Sequence, residues 1–202
     1  EVTNQDALKP FESKYDGLVM NPPFGSAEAK SFEGINISGL DPQMTINALN
    51  SLNDNGVAAI VVGGHASYNE NGSLKSDKQF FNYLYNYYNV VDIINMDGSL
   101  YRKQGTTFPT KMILIAGRKR ELEHYNKFST RDVAPVKEDA NAESVKNWED
   151  LYDRVETAIN TVNNESLLQR ETQRPDADTG GGTAKTNQRV SSERQTPVSD
   201  KE

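Results

Sequence analysis

The chain has 202 residues, 35% of them hydrophobic, and a formal net charge of −7, enough for one core of moderate size but not comfortably for two. The absence of cysteine excludes a disulfide framework, a thiolate metal site and a thiol nucleophile, and it fits a cytoplasmic location. No apolar run is long enough to span a bilayer, the first residues lack the pattern of a signal peptide, and nine basic against twelve acidic residues up to Arg118 make no electrostatic case for a polyanion.

The opening residues run at once into what reads as the middle of a folded unit, so the chain is expected to be a piece of a longer protein. Gly17-Leu18-Val19-Met20 predicts a short buried strand that stops at Asn21-Pro22-Pro23, because proline cannot continue a ladder. Asp41-Pro42 supplies a helix cap and first turn, with Met44, Ala48, Leu49 and Leu52 on one helical face and Asn53-Asp54-Asn55-Gly56 as the stop. Val57–Val62 has no polar residue and predicts a central strand covered on both faces.

Asp77 then caps a helix carrying Phe80, Phe81, Leu84, Tyr87 and Tyr88, and Val90–Met96 predicts the next strand. Alternating strand and helix argue for a largely parallel sheet with helices on both faces. Lys111–Ala116 follows a loop with no helix of its own, so this last strand is expected to be antiparallel. Beyond Arg118 a charged stretch leads to a helical stripe of Val145, Trp148, Tyr152, Val155, Ile159 and Val162. Residues 165–202, with Gly180-Gly181-Gly182 and little to bury, predict a disordered tail or linker. The domain reading is therefore 1–118 for the folded unit, 119–164 for a charged connector and amphipathic helix, and 165–202 for the tail.

The chemistry is carried by Tyr15–Gly25. On turn chemistry alone this is a strand ending in a proline-fixed turn. Each residue also suits one demanding task. The exocyclic nitrogen of an aromatic amine such as adenine is a poor nucleophile because its lone pair is delocalised into the ring. Two acceptors aimed at its hydrogens, the Asn21 side-chain oxygen and the Pro22 carbonyl, would draw it toward tetrahedral geometry. Pro22 and Pro23 fix φ and offer no competing donor, and Phe24 offers a flat face to a ring that has left its stack.

Asn21-Pro22-Pro23-Phe24 at the end of an apolar strand resembles the catalytic motif of class I amino-methyltransferases, particularly the adenine-N6 DNA methyltransferases. The resemblance covers residues 1–118. It implies an α/β fold, the Rossmann-like three-layer methyltransferase sandwich, with S-adenosyl-L-methionine as cofactor and a flipped adenine in DNA as target. Asn4–Leu8, fifteen residues before Asn21 at its midpoint, is similar to the loop whose acidic residue bonds the cofactor's adenine. Asp6 is that candidate, an ordinary Asx turn being the other reading.

Gly105–Thr110 is similar to the segment bordering the target-base pocket. The strand ends place the loop 97–109 near Asn21, able to bring Phe108 or Tyr101 to the base, although Phe108 can equally cap the core. His65 has no assigned role, since methyl transfer from a sulfonium needs no general base of that type, and no metal is expected.

One departure stands out. The glycine-rich loop and the ribose-binding acidic residue that precede this point in the family are not in the sequence, and Gly180–Gly182 follows no strand and opens no helix. The N-terminal cofactor-binding strands are thus expected to be missing and supplied by an upstream part of the same protein or by another chain, with the isolated chain inactive. The Trp148 helix is similar to the segment joining methylase and helicase parts in phage and mobile-element fusions, or is a helix packed on the domain. The motif is shared by RNA methyltransferases and glutamine methyltransferases, and a non-catalytic remnant of the fold is a further alternative. Phe24 in place of Tyr, and Gly25 in place of His, favour DNA adenine among them.

Overall fold

The computed structural model describes residues 4–64, 77–105, 107–122 and 144–172. Strand β1 is Tyr15–Met20, and after it come a small hairpin, β2 Lys30–Phe32 with β3 Ile35–Ile37, helix α1 Leu40–Asn50 and strand β4 Leu52–Gly63. Helix α2 Lys78–Tyr87, strand β5 Tyr88–Met96, a 3-10 helix Gly98–Gln104, strand β6 Thr110–Arg118 and helix α3 Trp148–Thr172 complete the described elements.

The main sheet has the order β1-β4-β6-β5. β1 pairs parallel with β4, and β6 pairs antiparallel with both β4 and β5. The expected antiparallel last strand is present. The expectation of a largely parallel sheet needs correction: β1, β4 and β5 run one way, but β6 lies between β4 and β5, so two of the three pairings are antiparallel. The chain reaches β5 before β6, and a strand entering from β5 without a crossover helix can fill the gap only by reversing direction.

Side-chain alternation along the strands builds two cores. Ala58, Ile60 and Val62 of β4 with Ile113 and Ile115 of β6 face α1, α2 and the hairpin through Ile46, Leu49, Phe81, Leu84 and Ile37. Ala59, Val61, Met112, Leu114, Ile94 and Met96 face the other way, toward Leu151, Val155 and Ala158 of α3. The result is three layers in a mixed α/β arrangement, with α1 and α2 on one side of the sheet and α3 on the other.

Local chemistry explains the boundaries. The hairpin turns on Glu33 and Gly34, both at positive φ (47° and 78°), the backbone that a two-residue turn needs to follow strand twist. The sequence reading has no element here. α1 starts one residue before Asp41 and ends before Leu52, which opens β4. Asn53–Gly56 does not separate helix from strand: Tyr15 pairs with Leu52 and Gly17 with Val57, so these residues form an irregularity within β4.

α3 is capped by Asn147, whose side-chain oxygen accepts the Asp150 N–H at 2.8 Å. Just before it Val145 bridges to Met96 as a short parallel pair. The docked face is Leu151, Val155 and Ala158, rotated from the expected stripe, so that Trp148, Tyr152 and Ile159 are exposed at 56%, 66% and 53%. Arg154 fixes this rotation with two bonds to Asp92 of β5, at 2.8 and 3.0 Å. α3 also continues through 165–172, part of the segment expected to be a tail: Glu165–Thr172 holds Leu167 and Leu168 and no Gly or Pro, and the first breaker is Pro175. Residues 173–202 lie outside the described residues.

At the amino end of the sheet the Tyr83 and Tyr88 hydroxyls both donate to Asn50 Oδ1, at 3.4 and 3.3 Å. Burial pushes the Tyr83 hydroxyl from the ordinary 10 up to about 12, with Arg118 opposing, and raises Tyr88 in the same direction. An unfolded chain releases these protons near the ordinary value and the folded chain holds them longer. Stability is therefore expected to be intact below pH 10 and to fall as pH rises through about 12, by on the order of 2–3 kcal/mol for Tyr83. Urea titrations from pH 8 to 12 check this, and Tyr83→Phe should flatten the dependence.

Candidate active site

β1 ends at Met20, opposite Ile60 of β4, and the proline pair turns the chain off the sheet at its carboxyl edge. Pro22 is buried while Asn21, Pro23 and Phe24 are exposed. The loop is strapped to the start of α1: the Leu40 N–H donates to the Gly25 carbonyl at 2.9 Å, and Gln43 Nε2 donates to the Glu28 carbonyl at 2.5 Å and to the Ile37 carbonyl at 2.9 Å. Gln43 is 4% exposed, and these two carbonyls are what permit a buried amide there.

The segment before β6 arrives at the same edge. Gly63 of β4 pairs with Thr110, and the Gly64 N–H donates to the Pro109 carbonyl at 2.9 Å. This brings Phe108 to Phe24, with ring centroids 6.3 Å apart and planes tilted by 37°. Both rings keep more than a third of their surface, at 37% and 38%, so neither is a core cap. Asn21 and Pro22 lie on the segment leading directly into Phe24.

The other expected residues are placed differently. Tyr101 turns to the opposite face, where its ring meets Trp148 edge-on at 6.2 Å. It leaves Phe108 as the aromatic of this loop at the site. Asp6 is exposed and accepts the Leu8 N–H at Oδ1, 2.9 Å, in a tight turn. That turn is tethered to α1 through Asn47 Nδ2 on the Ala7 carbonyl at 3.2 Å. No described contact joins Asp6 to Asn21 or Phe24. His65 lies outside the described residues.

Two features of the edge escape sequence reasoning. Lys111, 5% exposed, donates to Asn95 Oδ1 across the β5–β6 pair; burial pushes its ammonium pKa down and Asp77 acts in the opposite sense. Gly98 opens the 3-10 helix under the returning chain, and a Cβ there would stand 1.8 Å from the Thr107 carbonyl oxygen. Only the absence of a side chain allows this approach. Gly98→Ala is therefore expected to push the 107–109 segment away from Phe24 and to cost about 1–3 kcal/mol of stability. A urea melt reads the loss, and disappearance of the Phe24–Phe108 ring contact by NMR reads the displacement.

β1 is the sheet's edge, and among the described residues nothing pairs with its outer side. Leu18 and Met20 pack into the α1–α2 core, which leaves Val19 on the α3 side, where it is 87% exposed, with Val57 of β4 at 52%. α3 covers the β5–β6 half of that face, and among the described residues none packs over Val19 on the β1 half. Past Asp16 the edge from Gly17 to Met20 carries no charge, and an apolar edge of this kind is a template for pairing with another strand.

No family model matches the sequence, and no curated protein matches it. Among solved structures, a chain from a study of the assembly and conformational transition of the type I R-M system is similar over 58% of this chain, with 14% identity and a TM-score of 0.44. The present chain spans 25% of that chain's length. No helix among the described residues is long and apolar enough to cross a membrane.

Proposed function

We propose that this chain carries the amine-binding half of an S-adenosyl-L-methionine-dependent methyltransferase acting on the exocyclic amino group of adenine in DNA. The observation that carries the reading is the junction of Asn21-Pro22-Pro23-Phe24 with Phe108 at the carboxyl edge of the sheet, where the exposed Phe24 and Phe108 rings stand 6.3 Å apart and Asn21 precedes Phe24 by three residues. In this reading the Asn21 side-chain oxygen and the Pro22 carbonyl accept the two amine hydrogens. Phe24 and Phe108 hold the base once it has left the duplex, by stacking that is indifferent to base identity. Selection of an amine then falls to the acceptors, which a keto oxygen at the same place would face without a hydrogen to share.

On the cofactor side the fit is partial. The cofactor would supply an electrophilic methyl group, but the described residues offer only Asp6 toward it, with Oδ1 engaged by Leu8. The outer side of β1, unpaired among the described residues, and the exposed Val19 support completion by further strands, from an upstream part of the same protein or from another chain. The isolated chain is then inactive. Methylation of plasmid DNA, ribosomal RNA and release factor by the full-length protein tests the reading against its RNA and glutamine alternatives, which share the motif.

A further inference from the structure

The two aromatic residues of the site come from segments far apart in sequence, and three hydrogen bonds connect them through one buried carboxylate. Asp41 stands in the first turn of α1 and is 7% exposed. It does not cap its own helix; the N-cap is Gly39, at φ 94°. Its Oδ2 instead accepts the Gly63 N–H at 2.9 Å. That amide lies beyond Ile60, the last residue of β4 opposite β1, where the strand has outrun its parallel neighbour and its inner amides need another acceptor.

On one side of Asp41, the preceding residue's N–H holds the Gly25 carbonyl at 2.9 Å, next to Phe24. On the other side, the residue after Gly63 donates to the Pro109 carbonyl at 2.9 Å, next to Phe108. The circuit runs from Phe24 through Gly25, Leu40, Asp41, Gly63, Gly64 and Pro109 to Phe108, and it closes on the ring contact at 6.3 Å.

We infer that Asp41 is a positioning residue: its carboxylate on the Gly63 amide sets the spacing of Phe24 and Phe108, and so the opening that a planar ring would enter. Its described hydrogen bond goes to the Gly63 amide and not to the segment of either ring. A buried polar oxygen needs a partner, and the Gly63 N–H supplies one to Asp41 Oδ2. The neighbouring glycines fit the same purpose, since a Cβ on Gly64 would stand 2.4 Å from the Pro109 oxygen and separate the two segments. The assignment of the rings to a base rests on the function proposed above; the positioning does not.

The test is NMR on the full 202-residue chain, without cofactor or DNA. Asp41→Ala should abolish the Phe24–Phe108 ring cross-peaks and speed amide exchange at Gly63 and Gly64 by roughly tenfold or more, leaving Ile60 and Ile113 protected. Asp41→Asn, whose amide oxygen can still accept the Gly63 N–H, should keep the cross-peaks. Ring contact and slow Gly63 exchange surviving in Asp41→Ala would overturn the inference. Should Asp41→Ala unfold the chain, Asp41→Asn decides: a folded Asp41→Asn chain that has lost the ring contact also overturns it. Failure of methyl transfer by the full-length protein would count against the proposed function and leave these readings untouched.

Discussion

Asn21→Ala in the full-length protein is expected to lower the single-turnover rate of methyl transfer by roughly a hundredfold or more, on the order of 3 kcal/mol, with little change in cofactor affinity. In the proposed reaction the hydrogen bond from the amine to the Asn21 oxygen would strengthen as the nitrogen becomes tetrahedral, so its loss would fall on the transition state and not on the ground state. The backbone frame should be indifferent to the change, because Asn21 is exposed and the loop is held through Gly25 and Glu28 carbonyls. Rapid-quench methylation of a duplex, with cofactor affinity measured separately by calorimetry, reads the two effects apart. A rate loss accompanied by an equal loss of cofactor affinity would move Asn21 from the amine side of the reaction to the cofactor side.

Ile60→Ala is expected to destabilise the fold by about 2–5 kcal/mol. Ile60 is fully buried in β4, opposite Met20 of β1 and Ile113 of β6. β4 is the strand that carries both the β1 pairing and the Gly63–Gly64 end of the site, so a cavity here has no loop beside it to collapse and fill the space. Urea denaturation followed by circular dichroism should show the midpoint fall with the slope preserved. At the upper end of that range much of the stability of a small domain would be gone.

How far such expectations could be read from sequence differs by element. Val57–Val62 is apolar on both faces and bounded by glycine, which leaves little but a covered strand, whereas Val90–Met96 carries Asp92 and Asn95 and was readable from its β-branched residues and the helix that precedes it. Asn21–Phe24 was readable for a related reason: two prolines in succession at the end of such a strand fix both the turn and the edge of the sheet where it lies. The antiparallel β6 could be inferred from the missing crossover helix, but its place between β4 and β5 could not, because strand order depends on tertiary pairing and leaves no local mark.

The hairpin at Lys30–Ile37 turns on Glu33-Gly34, a weaker signal than Asn-Gly, and its strands are too short to show alternation. α3 misled by a single helical step. Its sequence offers two adjacent apolar stripes, and the ion pair of Arg154 with Asp92, distant in sequence, decides which of them faces the sheet. The part of the site that was not readable is its frame. Asp41 reads as a helix cap from its neighbours, and only the carboxyl edge of β4 in space gives its carboxylate another donor. Gly63-Gly64 reads only as the end of a strand, whereas the structure uses Gly64, like Gly98, for close approach of a second backbone.

The most direct measurement of the central claim is the identity of the methylated product. The full-length protein, incubated with methyl-labelled S-adenosyl-L-methionine and an equimolar mixture of duplex DNA, ribosomal RNA and release factor, is followed by digestion to nucleosides and amino acids. The proposed function predicts label in N6-methyladenine from DNA, appearing roughly a hundredfold or more slowly with Asn21→Ala. Label in RNA nucleosides or N5-methylglutamine, or label in DNA that appears at an unchanged rate with Asn21→Ala, would contradict it.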